Sequence, residues 1–242
     1  MSGLLILLVS VLISSFPLFL IYIWFRAAKY QFTLAWFLLA ALTGATAFFP
    51  ALLLQELFSV SAFTGRAALF FDIFIRVAFT EEISRLLMFF IFLWISNKNT
   101  EKPLAFNAEK KGNTNEVSRG TAAGLVAGLG FAILESARYT VSSFDISIVF
   151  LRLFTAALHG ACGSRIGAAA VLLTSNTGQA FLRIFTAIAI HGVFNFLVTI
   201  PGMPLIAAFL IALSAMSTTI IMIRGGWNSA EYSAIDKTVK RS

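Results

Sequence analysis

A single cysteine, Cys162, leaves the chain without a partner for an intramolecular disulfide or for a cysteine-based zinc site. Charge is also scarce. Only 12% of the 242 residues are charged, while 59% are hydrophobic and mean hydropathy is +0.88. A soluble domain of this size needs more polar surface, because apolar usage near half is typical. No internal repeat or low-complexity tract is present, and no inverted repeat of broken helices of the kind that builds transporters. HExxH, the one-helix zinc-protease signature, is missing, and so is the GxSxG of serine hydrolases. Neither Asp72 nor Asp145 belongs to a paired mid-membrane motif, which argues against an aspartyl intramembrane protease.

What is abundant is long apolar blocks, so the bilayer is the expected solvent. The blocks predict an all-α polytopic membrane helical bundle of about seven spans. They cover roughly Gly3–Phe25, Gln31–Phe58, Ala67–Ile95, Arg119–Tyr139, Ile146–Thr174, Ala180–Ile200 and Leu205–Ile223. The first lacks a basic leader and is too long for a signal-peptide core, so it reads as a span. Pro50 predicts a kink or break in the second. The third exceeds a ~30 Å core at ~1.5 Å per residue, which predicts tilt, bending or an interfacial start. Asp72 and Arg76 sit at pairing distance near that start. Gly120, Gly124 and Gly128 recur every four residues and give the fourth span a smooth face for close helix contact. Pro201 and Pro204 mark the turn into the last span. Cys162 reads as helix packing, since cysteine often behaves as a small hydrophobe.

The net charge of +7 would suit nucleic acid, but its distribution excludes that partner. Lys and Arg gather at span ends, in the loop from Ser96 to Ser118 with Lys98, Lys102, Lys110 and Lys111, and in the tail with Lys237, Lys240 and Arg241. This is how topology is encoded: the basic loops face the cytoplasm, giving N-terminus out and C-terminus in. Residues 1–228 form the expected membrane domain and 229–242 a polar cytoplasmic tail.

Against this apolar background six polar side chains stand near mid-membrane: Glu81, Glu82, Glu135, His159, His191 and Asn195. An ionisable group at the bilayer centre costs ~2.5–3.5 kcal/mol on insertion scales. A chain that carries several at similar depth is building a site. Arg85 lies within helical pairing distance of both Glu81 and Glu82, but adjacent helical residues point ~100° apart, so only one can face it squarely. Asn195 shares a helix face with His191, one turn away. Each histidine is followed by glycine, which leaves room for a partner helix, water or a substrate backbone. Carboxylates and imidazoles in one water-accessible cavity are the parts needed to activate water. A non-catalytic carrier or binding protein with a buried polar relay uses the same parts.

The segments EEISRLL, GLGFAILESARY, HGACGSRIG and HGVFNF, in this order on successive spans, resemble the PrsW family of intramembrane proteases, grouped with CAAX prenyl endopeptidases and bacteriocin-immunity proteins. The resemblance covers about Thr80 to Phe196. It implies an intramembrane endopeptidase in a bacterial plasma membrane, acting on a membrane-anchored protein such as an anti-sigma factor; CAAX processing is the enzyme alternative. It places Glu81 and Glu82 at the family's Glu pair, Glu135 at its acidic position, and His159 and His191 at its histidines. Arg85 stands where lysine is usual, keeping the charge but changing the geometry, and Asn195 stands where aspartate is also common. Two mechanisms fit. In one, His159 and His191 with Glu82 and Glu135 bind Zn²⁺ while another glutamate acts as base. In the other, a glutamate activates water without a metal and His191 and Asn195 stabilise the oxyanion.

The charge pattern makes a topological prediction. Single cysteines at Asn113 and Ser233, in a Cys162→Ser background, should react with an impermeant reagent only after the membrane is permeabilised. Labelling of either in intact cells would overturn the assigned orientation.

Overall fold

The computed structural model describes residues 3–30, 32–58, 65–98, 114–142, 146–200 and 205–239, and these are helical apart from short turns. The helices are α1 (Gly3–Ala27), α2 (Leu34–Leu57), α3 (Gly65–Phe71), α4 (Thr80–Lys98), α5 (Thr114–Ser142), α6 (Ile146–Leu172), α7 (Thr177–Thr199) and α8 (Leu205–Val239), with a π-helical segment, Asp72–Phe79, joining α3 to α4. Most of the Lys-rich loop, the Pro201–Pro204 turn and the last tail residues lie outside the described residues. Among the described residues, five helices are long and apolar enough to cross a membrane: Leu8–Ala27, Leu34–Leu57, Glu116–Tyr139, Thr177–Thr199 and Leu205–Gly225. The other two expected spans, Ala67–Ile95 and Ile146–Thr174, are helical where described. Their hydropathy is lowered by the charged and polar side chains they bring to the centre.

Of the kink or break expected at Pro50, the break does not occur, since α2 runs continuously from Leu34 to Leu57. The third expected span, too long for a straight crossing, is interrupted by the π segment just before Glu81. There the Thr80 hydroxyl donates to the Arg76 and Val77 carbonyls at 2.5 and 3.1 Å, satisfying backbone acceptors at the π-to-α junction. Asp72 and Arg76 pair within the segment, as their spacing predicts. Helix starts follow ordinary capping chemistry. Thr33 Oγ1 accepts from Trp36 N, and Asn176 Oδ1 accepts from Gln179 N, both at 3.1 Å.

Small residues line the closest helix contacts, large ones such as Phe89, Phe92 and Phe131 fill the core, and many more large apolar side chains face outward. Fully 78% of the α5 span is buried, against 22–33% of the other four, although α5 has the lowest hydropathy of the five. Leu53 and Leu57 on α2, Phe181 and Phe185 on α7 and Ile206 on α8 are instead exposed. That is the pattern expected where lipid solvates the outside and close backbone packing holds the inside.

Glycine sets the packing around α5. A Cβ on Gly120, Gly124 or Gly128 would collide with the carbonyls of Gly167, Gly163 and His159 respectively, so α5 and α6 run antiparallel with their backbones in contact. On the other side of α5, a Cβ on Gly130 would collide with the Ala41 carbonyl, and one on Gly44 of α2 with that of Ala127. The predicted smooth face on α5 thus meets a glycine face on α6. Cys162 is buried, its Sγ 3.5 Å from the Ala187 carbonyl, as a packing residue between α6 and α7.

Gly124→Leu should therefore lower stability by ~3 kcal/mol or more, through overpacking that the facing backbone cannot relieve. Gly225→Ala meets nothing within 4 Å and should be neutral or stabilising by up to ~1 kcal/mol. Thermal unfolding of the purified variants in detergent checks both, and equal effects would refute the backbone contact.

Candidate functional site

The start of α4, the middle of α5 and α6, and α7 converge on one buried cluster. Glu82 is fully buried on α4, and its Oε1 accepts from Arg85 Nη2 at 2.7 Å and from His191 Nδ1 at 2.8 Å. Glu81, next in the chain, lies farther from Arg85 Nη2, at 3.5 Å from its Oε2. The ~100° offset between neighbours is realised: Glu82 faces Arg85 and Glu81 turns toward the centre. There Glu81 Oε2 lies 3.7 Å from His191 Nε2, and Gln55 Nε2 of α2 donates to Glu81 Oε1 at 3.2 Å. On the other flank His159 Nε2 donates to Glu135 Oε2 at 2.8 Å, and Arg152 Nη1 lies 3.6 Å from the same oxygen. The two imidazoles meet edge to face with ring centroids 5.0 Å apart.

Each histidine thus has one ring nitrogen on a carboxylate. An ionised carboxylate only accepts, and against ionised Glu82 and Glu135 the hydrogen bonds assign the proton to Nδ1 of His191 and Nε2 of His159. The other nitrogen of each carries a lone pair. Buried His159 Nδ1 and Glu81 Oε2 make no hydrogen bond among the described residues. One ligand-capable atom from each of Glu81, His159 and His191 lies within 4.8 Å of the others.

Arg85 ties the cluster together. Its Nη1 donates to the His159 carbonyl at 3.4 Å and its guanidinium stands 4.6 Å over the Phe131 ring. The glycines after the histidines admit partners. Gly160 takes Leu125 and Leu129 of α5, and Gly192 takes the Phe74 ring of the π segment, which a Cβ there would overlap. A cavity of ≈ 120 Å³, room for a few waters, reaches Glu81 and Glu135 between α2, the π segment and α5, with Gln55, Arg76, Arg138 and Tyr139 in its wall.

The profile of the PrsW family intramembrane metalloproteases matches residues 33–223. The chain belongs to this family. No curated protein and no solved structure matches the chain. PrsW membership makes it a multi-pass membrane protein of an intramembrane protease family. The match extends beyond Thr80–Phe196 to take in α2 and most of the apolar part of α8.

Five of the six residues singled out in the sequence come together: Glu81, Glu82, Glu135, His159 and His191. Asn195 is half-buried one turn beyond His191 and takes no part in this hydrogen-bond network. Sequence reasoning passed over Arg152, Gln55 and Phe74. Arg152 carried the same signal as the glutamates, a charge inside an apolar run. Gln55 and Phe74 carried none, because their roles depend on which helices meet.

Arg85→Ala should destabilise the fold by ~3–5 kcal/mol, because it leaves Glu82 and Glu81 buried without their cation. Adding Glu82→Gln should recover part of that loss by removing one uncompensated charge. Thermal unfolding of the single and double variants measures it, and an unaffected Arg85→Ala would show that the pair contributes nothing.

Proposed function

We propose that this PrsW-family protein hydrolyses a peptide bond of a membrane-anchored substrate protein at the Glu81, Glu135, His159 and His191 cluster. The observation that carries the reading is the pair of imidazoles 5.0 Å apart, each on its own carboxylate, with one ligand-capable atom of each within 4.8 Å of one on Glu81. A carboxylate on the far nitrogen fixes tautomer and orientation and raises the basicity of the near one, the usual arrangement behind metal-ligating histidines.

The donor set fits a metal ion. Glu81, His159 and His191 supply one oxygen and two nitrogens in reach of one another, two of them on residues with orphaned buried atoms. Mixed N/O ligation suits zinc, which when bound would supply Lewis acidity toward water and the scissile carbonyl. The ligand set proposed here puts Glu81 in place of Glu82 and Glu135. Glu82 holds His191 in position and is itself held by Arg85. Glu135 lines the cavity, keeps His159 oriented and is placed to accept a proton from water entering beside Glu81. Asn195, one turn from His191, would donate to a developing oxyanion on the bound substrate.

The 2.8 Å bond between His159 and Glu135 also favours a second reading, in which that pair activates water without a metal. With seven spans and the N-terminus out, the domain over residues 1–228 would sit in a bacterial plasma membrane. The cavity would then open at the outer end of the bundle, where α2 and α5 finish.

Glu81→Gln and His159→Ala should each reduce cleavage of a membrane-anchored reporter at least ~100-fold, consistent with loss of an acid–base or electrostatic group. Elemental analysis of purified protein should find about one zinc per chain, lost in both variants, under the metal reading. Wild-type cleavage by both variants would refute the site. Active protein without metal would favour the glutamate pair.

A further inference from the structure

We propose that a second cavity, between α6 and α7, binds the phosphate of an anionic lipid headgroup. It measures ≈ 380 Å³ and is lined by Arg165, Gln179, Leu182, Arg183 and Thr186. Two guanidinium groups share it, and neither has a salt bridge among the described residues. Arg165 is 8% exposed and is held by neutral groups: Nη1 donates to the Ala161 carbonyl and Nη2 to Thr218 Oγ1, both at 2.8 Å. Arg183 is half-buried, and among the described residues its one hydrogen bond goes from Nη1 to Met222 Sδ at 3.8 Å.

Two like charges beside one cavity, within apolar helices and with no carboxylate among the described lining residues, are costly unless an anion joins them. A phosphate does so best, because the planar guanidinium fork matches its oxygens two at a time. Gln179 offers an amide donor on the same wall. Depth favours a lipid as the source. Arg165 lies seven residues before the end of α6 and Arg183 six after the start of α7, so both sit ~10 Å inside the helix ends, near the headgroup–acyl boundary. Phe181, Leu182 and Phe185 project exposed from the adjoining stretch of α7, an apolar surface on which acyl chains can lie. This end of the bundle is the one where α4 ends and α5 begins, flanking the Lys-rich loop. Basic pockets between spans on the cytoplasmic side are where anionic headgroups bind. The inference is independent of the protease reading.

The test follows the thermal unfolding of purified full-length protein in a neutral detergent. The additives are short-chain phosphatidylglycerol, phosphatidylcholine of equal chain length, and inorganic phosphate. Phosphatidylglycerol should raise the midpoint saturably and phosphatidylcholine should not. Arg183→Gln should weaken the response ~10-fold or more, the loss expected for a charge-assisted bond. Arg165→Lys should weaken it too, and Arg26→Gln, an exposed basic residue at the same end, should leave it unchanged. If Arg165→Lys fails to fold, Arg183→Gln decides, since that side chain holds only a thioether contact. A response to inorganic phosphate alone, lost in Arg183→Gln, would retain the phosphate site but overturn the lipid as its source. Equal response to both lipids, no response to any additive, or a phosphatidylglycerol response that survives Arg183→Gln would overturn the proposal.

Discussion

A charge inside a bilayer must be answered by another group, and the bundle is arranged around that demand. Arg85 is the clearest case. It is 3% exposed and touches Glu82, Glu81, the His159 carbonyl and the face of Phe131, so one side chain bonds α4 to α5 and α6 at once. Arg152 does the same for Glu135 on the other flank, stacking 4.1 Å over Tyr139 as it does so. Such networks add little net stability relative to well-packed apolar side chains. What they add is specificity: any other helix arrangement would strand a carboxylate or a guanidinium in hydrocarbon.

Charge pairing alone would not set how closely α5 and α6 approach, and here backbone packing decides. Gly128 lies against the His159 carbonyl, where any side chain would force the helices apart. The 2.8 Å bond from His159 to Glu135 is made across that same interface. The stripe Gly120, Gly124, Gly128 and its counterpart Gly163, Gly167 therefore act on the site through distance. A bulky residue far from any reacting group would still separate the two flanks of the cluster.

Much of this was legible in the chain. The long apolar runs gave the helices, and the insertion penalty pointed to Glu81, Glu82, Glu135, His159 and His191 before any contact was known. Spacing of four along α5 announced the close interface, and the i,i+4 offset announced the Asp72–Arg76 pair. What stayed hidden depends on tertiary contact. Glu81, not Glu82, reaches the cavity, while Glu82 is held between Arg85 and His191, a choice the sequence leaves symmetric. Gln55 is one polar residue near a helix end, with nothing local to tie it to Glu81. Pro50 suggests a kink or a break, and no break occurs, because a helix packed among neighbours can absorb a lost hydrogen bond.

The π segment was invisible to periodicity for a related reason, and it bears on the chemistry. Hydrogen bonding from i to i+5 takes one residue more per turn than the α pattern, so it rotates everything downstream by ~100° for each residue added. Upstream, Phe70 on α3 is exposed; immediately downstream, Glu81, Glu82 and Arg85 are all buried. The segment thus turns one continuous helical run from a lipid-facing entry to a centre-facing site without a loop, whose backbone groups would need partners inside the membrane. Its poorer hydrogen bonding is offset on both sides, by the Thr80 hydroxyl at the junction and by the seat that Gly192 gives Phe74. That seat lies beside His191. The same contact that supports the irregular helix therefore helps fix the imidazole to which the rotated carboxylates are presented.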